Sequence, residues 1–471
     1  MIHPPGAGRW RVPDRTAEVL LYAALVSASV VGGASVVSDG SIAKVLILLP
    51  GIALALTIQP EKIFVAWLFC APLVQGASSG AHPHHAVFTA LYLVPPLILV
   101  ARMALGAVDV RRLWVIDIIP ALYVLYVLIH IKLFPSELAG NESSLRAVYA
   151  IVGIGVTGYY FTALGTTSDR FPVAFAGALL WSGVVVAALA LVDASTGWNP
   201  WGNDVLGGDY VRRVVSTFGS PGALGTYLGA GVAFAVAILV WNGPRSMRLP
   251  AILLIGLSIP ALYFTYTRGP VLGIVMVAPV MLLLATRARW PSVLIFAAVG
   301  LLLLAGWKEI SSSATYEARL GVTSTVTTRV ELVDSQLELF RQKPLFGWGY
   351  NTFDKAKLTS PARYAGIDEI SSHNTFLTVL VELGVTGLVL LVLPWAVISW
   401  RAIAAGWHGV REPWLMGATV GATVVYIIGA LTYETRFFFI SVIPWIALGL
   451  ARSLLSTGNE HRSELSVITR R

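Results

Sequence analysis

Charge is what this sequence has least of. Only 12% of its 471 residues are Asp, Glu, Lys or Arg, against about 25% in a water-soluble domain, while 56% are hydrophobic. A soluble globule is excluded. Cysteine is nearly absent too: Cys70, inside an apolar run, is the only one, which rules out an internal disulfide and any cysteine-built metal centre. Carboxylates are sparse, and none accompanies the histidines of Ala81-His82-Pro83-His84-His85, where Pro83 also breaks helical spacing, so no metal site is expected there. Asp193, Asp204 and Asp209 are expected to be solvated loop residues rather than metal ligands. Neither an internal repeat nor a low-complexity segment is visible, although many transporters are built from duplicated halves. The net charge of +8 comes from basic residues scattered between apolar runs, which argues against a nucleic-acid partner.

What is present is length in hydrocarbon. Runs long enough for a bilayer fall near 17–37, 42–58, 63–76, 86–105, 113–134, 146–165, 171–193, 219–241, 249–267, 269–286, 291–306, 374–399, 413–433 and 436–456. Pro72, Pro95 with Pro96, and Pro444 weaken three of them. The expected fold is an all-α polytopic membrane protein of about 12–14 transmembrane helices, with one large extracytoplasmic loop carrying short helices. The run at 17–37 is too long for a cleaved leader and is read as a retained span.

Loop charge orients the chain. With the N-terminus in the cytoplasm, inside segments collect Arg9, Arg11, Arg15, Lys62, Arg102, Arg111, Arg112, Arg170, Arg245, Arg248, Arg287, Arg289, Arg401, Arg411, Arg452, Arg462, Arg470 and Arg471. Arg212, Arg213, Arg268 and Arg436 then lie outside, where topology gives no reason for them. The one long polar segment, about 307–372, is also outside, with a smaller loop at 194–218. In the large loop Thr328 and Glu331 read as a capping box, and Val330, Val333, Leu337 and Phe340 recur at helical spacing. That predicts an amphipathic helix ending before Lys343 and Pro344, followed by a glycine-hinged turn, Leu345-Phe346-Gly347-Trp348-Gly349-Tyr350. The loop is a candidate lid.

The loop ends at Ser371-Ser372-His373-Asn374, where a new apolar run starts. The serines are expected to cap that helix, leaving His373 and Asn374 in its first turn at the membrane mouth. Arg268, in Thr267-Arg268-Gly269-Pro270 between two runs with almost no loop, is costly near hydrocarbon and is therefore a functional candidate. Arg213 precedes a Gly- and Pro-rich entry to the eighth run, where an anion can approach the backbone; Arg212 beside it is expected to be solvated. Guanidinium groups near His373, from Arg213, Arg268, Arg329, Arg341 or Arg436, would keep its imidazole neutral and able to accept a proton. Glu382, about two and a half turns further on and on the opposite helix face, is expected to pair with an arginine or bond a neighbouring helix. Gly384 and Gly387 read as close-packing positions.

At these residues a resemblance is evident. Arg213 with Phe218-Gly219-Ser220-Pro221, Thr267-Arg268-Gly269, and Pro344-Leu345-Phe346-Gly347-Trp348-Gly349 followed by His373-Asn374, Leu377, Leu380, Glu382, Gly384 and Gly387 resemble the O-antigen ligase and polymerase (Wzy_C-like) superfamily of membrane glycosyltransferases. The likeness covers about residues 210–390. It departs at Gly222, where the family often has asparagine, and at Thr267, where serine is common. The resemblance implies about a dozen helices, an extracytoplasmic active site and metal-independent transfer without a cofactor. The donor would be a polyprenyl pyrophosphate-linked glycan and the acceptor a glycan or glycolipid hydroxyl. Arg213 and Arg268 would hold the pyrophosphate, and His373 would activate or position the acceptor, with Arg329, Asn374, Arg212 and Glu382 as accessory candidates. It further implies a multi-pass protein of the cytoplasmic (inner) membrane with both termini cytoplasmic: helices over 1–193, a catalytic transmembrane region over 194–456, and a tail over 457–471. A repeat-unit polymerase would share this chemistry. A flippase for lipid-linked sugars is the competing class, favoured by ionisable groups near the membrane midplane rather than at its outer mouth.

Overall fold

The computed structural model describes residues 60–78, 115–133, 155, 157–164, 171–201, 205–206, 212–284, 294, 324–359, 373–405, 412–433, 435 and 441–468. The runs expected at 17–37, 42–58 and 86–105, nearly all of 291–306, and His82, His84, His85, Asp204, Asp209, Ser371, Ser372 and Arg436 lie outside the described residues.

Eleven helices of eight residues or more are seen among the described residues: α1 Pro60–Val74, α2 Ile118–Leu133, α3 Thr157–Leu164, α4 Phe171–Thr196, α5 Pro221–Val240, α6 Arg248–Thr265, α7 Arg268–Leu284, α8 Ser324–Gln342, α9 Thr375–Ala405, α10 Pro413–Thr432 and α11 Val442–Ile468. The only sheet among them is a two-residue antiparallel ladder, β1 Val205–Leu206 with β2 Arg212–Arg213. Among the described residues five stretches are long and apolar enough to cross a bilayer: Phe171–Thr196, Pro221–Val240, Arg245–Thr265, Thr375–Arg401 and Pro413–Thr432. The chain is an all-α polytopic membrane protein.

α5 is the hub. Eighteen of its 20 residues are buried, it carries no charge, and it packs against α4, α6, α7 and α10. A helix apolar on every face is one surrounded by other helices, and its glycines and alanines let those neighbours come close. Ser220 caps it by accepting from Ala223 N at 3.4 Å, and Pro221 occupies the first helical position, where its missing N–H costs nothing. α11 starts at Val442, so Pro444 falls in its first turn and does not interrupt the span.

Arg452 was expected among the topology-setting arginines of the inside segments. Instead it is 1% exposed, and its Nη2 lies 2.8 Å from the carboxylate of Asp117, itself 1% exposed. Tyr159 donates to the same carboxylate. The pair joins the start of α2 to α11 within the bundle. Burial without pairing would cost several kcal/mol per ion, so each partner requires the other.

α8 is the expected amphipathic helix, with two corrections. It begins at Ser324, so Thr328 lies in its interior and does not cap it. Its buried face is Leu332, Ser335, Gln336 and Leu339, while Val330 is exposed. Facing α9, polar Ser335 and Gln336 replace part of the apolar stripe, and Gln336 Nε2 lies 3.4 Å from Thr378 Oγ1.

Candidate active site

α9 reads as one helix in the sequence and is two. At Gly384 (φ 67°, ψ −172°) the backbone leaves helical geometry. The N–H groups of Val385 and Thr386, which would have bonded to Val381 and Glu382, bond to Pro344 O at 2.9 Å and Leu345 O at 3.4 Å. The carbonyls so released accept from Trp348 N at 2.9 Å and Gly349 N at 2.8 Å. Leu383 O accepts from the Tyr126 hydroxyl of α2 at 2.8 Å. Residues 344–349 are thus stitched into the gap in α9, and every backbone group freed by the break that is named here finds a partner.

The stitch needs bare backbone on both sides. A Cβ on Gly347 would overlap the Glu382 carbonyl and one on Gly384 would overlap the Leu345 carbonyl, while both residues hold the left-handed φ that favours glycine. Gly384 therefore serves a chain break, not the helix packing expected of it. Glu382 is also corrected. It is 1% exposed and its carboxylate accepts from Asn351 N at 2.8 Å and Phe353 N at 3.1 Å, so it holds the loop, a role not expected of it. Trp348 Nε1 donates to Leu339 O at 2.8 Å, closing the end of α8.

The two contacts α9 makes with the end of α10 require a bend. Thr375 Oγ1 lies 3.1 Å from Thr435 Oγ1, which lies 3.2 Å from the Tyr426 hydroxyl, and the Tyr426 ring is 5.4 Å from that of Trp395. That path is about 15 Å long, whereas a straight helix separates residues 375 and 395 by about 30 Å. The half of α9 before the break therefore folds over towards α10.

His373 stands immediately outside this bent half. The cap is Asn374, whose Oδ1 accepts from Leu377 N at 3.0 Å, so His373 precedes the helix instead of standing in its first turn. Thr375 anchors the junction by donating to Tyr433 O at 3.0 Å and accepting from Thr435 N at 2.9 Å. His373 is half-buried, and its Nδ1 is buried with no hydrogen-bond partner among the described residues. Burial, then the charge of Arg329, then that of Arg213, push the imidazole down to about 4, so it is neutral at physiological pH.

Arg213 is half-buried and reaches across the front of α6: its Nε donates to Thr265 O at 3.1 Å, and Val214 N donates to Phe264 O at 3.2 Å. The turn that follows, with Tyr266 left-handed at φ 50° and the hydroxyls of Thr265 and Thr267 2.6 Å apart, delivers Arg268 to the first position of α7. Arg329, an exposed residue of α8, has its guanidinium lowered from the ordinary value by partial desolvation and then by the charge of Arg268. His373 feels Arg213 and Arg329, and Arg329 feels Arg268, so the four groups form one electrostatic cluster drawn from β2, α7, α8 and the entrance to α9.

Arg212 points the other way. It pairs with Asp193 at 2.8 Å and also donates to Gly197 O. Asp193 is 1% exposed rather than solvated, and its other oxygen accepts from Val215 N at 3.1 Å and Ser216 N at 2.9 Å. These two residues fix the strand from which Arg213 projects.

Tyr433 carries no signal of its own in the sequence. Its hydroxyl lies 2.7 Å from Ser220 Oγ and its ring 6.4 Å from that of His373. A Cβ on Gly222 would come within 2.8 Å of that ring. The position at which the chain departs from the resembled family is thus the one whose side-chain space Tyr433 fills, and that departure was the clue available.

Residues 253–392 match the family model described as O-antigen ligase. No curated protein matches the chain. The matched stretch contains Arg268, α8, the stitched break and His373. Over that segment the chain is similar to the O-antigen ligase family.

Proposed function

We propose that the chain is a glycosyltransferase of the cytoplasmic (inner) membrane, with its termini in the cytoplasm, that moves a glycan from a polyprenyl pyrophosphate donor to an acceptor hydroxyl on the outer face. The observation that supports it is a neutral imidazole with a buried nitrogen, unpartnered among the described residues, standing in a field of arginines from separate parts of the chain. Arg213 and Arg268 bind pyrophosphate oxygens through paired N–H donors, and their charge offsets what grows on the leaving group as the sugar carbon–oxygen bond breaks. Pyrophosphate leaves readily, so no resident metal is called for. The acceptor oxygen forms the new bond to the same carbon, and its proton passes to His373. The imidazolium so formed sits beside Arg329 and Arg213, whose repulsion returns the proton to water and resets the base.

The test is purified protein with defined polyprenyl pyrophosphate glycans, following release of lipid pyrophosphate with and without acceptor. Arg268→Ala and His373→Ala are expected to abolish release while expression and membrane insertion persist. Undiminished product from either variant would refute the assigned roles. In cells, accumulation of long lipid-linked chains on deletion marks a ligase, and loss of chain length marks a polymerase.

A further inference from the structure

Hydropathy puts the membrane edge of α9 at His373, but exposure along the helix puts it elsewhere. From Thr375 to Gly384 no residue is exposed, whereas Val385 is 41% and Val389 48% exposed. The earlier half is covered by α8, whose Arg329, Glu331, Asp334, Glu338 and Arg341 are the side chains of an aqueous helix. Lipid contact on α9 therefore starts at the break.

Beside the break lie two large apolar side chains with nothing over them: Leu345 is 62% and Phe346 53% exposed. Leu345 O accepts from Thr386 N on one side, and the Phe346 backbone faces His130 of α2 on the other. Exposed apolar residues continue from both flanks, Val389 along α9 and Ile129, Leu125 and Leu122 along α2. Leu345 and Phe346 are thus the upper end of the lipid-facing belt. Arg341 and Lys343, both exposed, precede them in sequence, and Lys343 Nζ lies 4.1 Å over the Trp348 ring. Apolar tips next to basic residues and an indole are the composition of an element seated in a membrane interface.

We propose that Leu345 and Phe346 wedge into the acyl chains of the leaflet on the His373 side, with Arg341 and Lys343 at the level of acidic headgroups, so that the hydrocarbon boundary of α9 runs at Gly384 and not at His373. The extramembrane loop is then anchored in lipid at the point where it is hydrogen-bonded into α9.

Nitroxides are placed singly at Leu345→Cys, Phe346→Cys, Val389→Cys and Asp354→Cys in a Cys70→Ser background, with the full chain in nanodiscs of phosphatidylglycerol and phosphatidylethanolamine. Collisions with oxygen, which concentrates in hydrocarbon, are compared with collisions with a water-soluble nickel chelate. The oxygen-to-nickel ratio at 345 and 346 is expected to match 389 and exceed 354 several-fold. A ratio like that at 354 overturns the proposal by putting the loop in water. Shielding from both reagents overturns it as well, since protein, such as a second copy, would then cover the tips. All four sites are exposed, so labelling leaves the core untouched, and neither outcome depends on the glycosyltransferase assignment.

Discussion

Replacing Glu382 by alanine removes the acceptor of two backbone amides, Asn351 N and Phe353 N, held at 2.8 and 3.1 Å. An unmet donor in a buried setting costs about 1–3 kcal/mol, so the pair amounts to about 2–6 kcal/mol. The cost falls on the loop, because the packing of α5 against α4, α6, α7 and α10 does not involve these atoms. Opening of residues 349–356 should therefore become easier by that amount, while global stability changes little. In hydrogen exchange this appears as amide rates in 349–356 faster by roughly 30-fold to 10⁴-fold, at about 1.4 kcal/mol per decade. Glu382→Gln keeps one carbonyl acceptor and turns an NH₂ towards the other amide, so its effect should lie between those of wild type and alanine. Mass-spectrometric exchange on protein in detergent reads all three. Unchanged protection over 349–356 in the alanine variant, with the variant correctly folded, would refute the view that this carboxylate ties the loop to α9.

Three further outcomes are expected. Arg329→Ala removes a positive charge that disfavours imidazolium, so the apparent value of His373 should rise from about 4 towards its ordinary range. The acid limb of lipid pyrophosphate release against pH then moves upward, only part of the way because burial is the larger cause; an unmoved limb would sever Arg329 from His373. Gly222→Asn should lose activity by colliding with the Tyr433 ring and regain part of it in combination with Tyr433→Ala; a double variant no better than the single one removes the steric explanation. Arg452→Met leaves Asp117 buried and unpaired and should lower stability by about 3–5 kcal/mol. Adding Asp117→Asn should recover most of the lost melting temperature in detergent, and failure to recover would mean the pair is not the source.

Helix existence was legible because a transmembrane span is written in composition alone: the runs at 171–193, 219–241, 249–267 and 413–433 reappear as α4, α5, α6 and α10 to within a few residues. The break in α9 was not, because Val381-Glu382-Leu383-Gly384-Val385 is apolar enough to pass for continuous helix, and the partner that satisfies its opened backbone lies some 35 residues upstream, between Pro344 and Gly349. The same distance hid the function of Glu382, whose neighbours on its own helix say nothing of Asn351 and Phe353. Arginine positions were visible as charges with no topological reason, and motif spacing singled out Arg213, Arg268 and His373. Their mutual placement depends on Tyr433 and Thr375, ordinary residues at helix ends whose contacts are tertiary. Arg452 and Asp193 were misjudged for a common reason: composition shows that a charge exists, not whether its counter-charge is waiting on another helix.

The link between Asp117 and Arg452 spans 335 residues of sequence. At ribosomal speeds of about 5–20 residues per second, the aspartate emerges roughly 20–70 s before its arginine exists. Throughout that interval the nascent bundle holds Asp117 without the guanidinium it meets in the finished fold, and a buried charge without its counter-charge is costly. Arrival of α11 supplies the counter-charge and ties that helix to the start of α2. Truncated chains ending before α11 should accordingly be targets for membrane quality control.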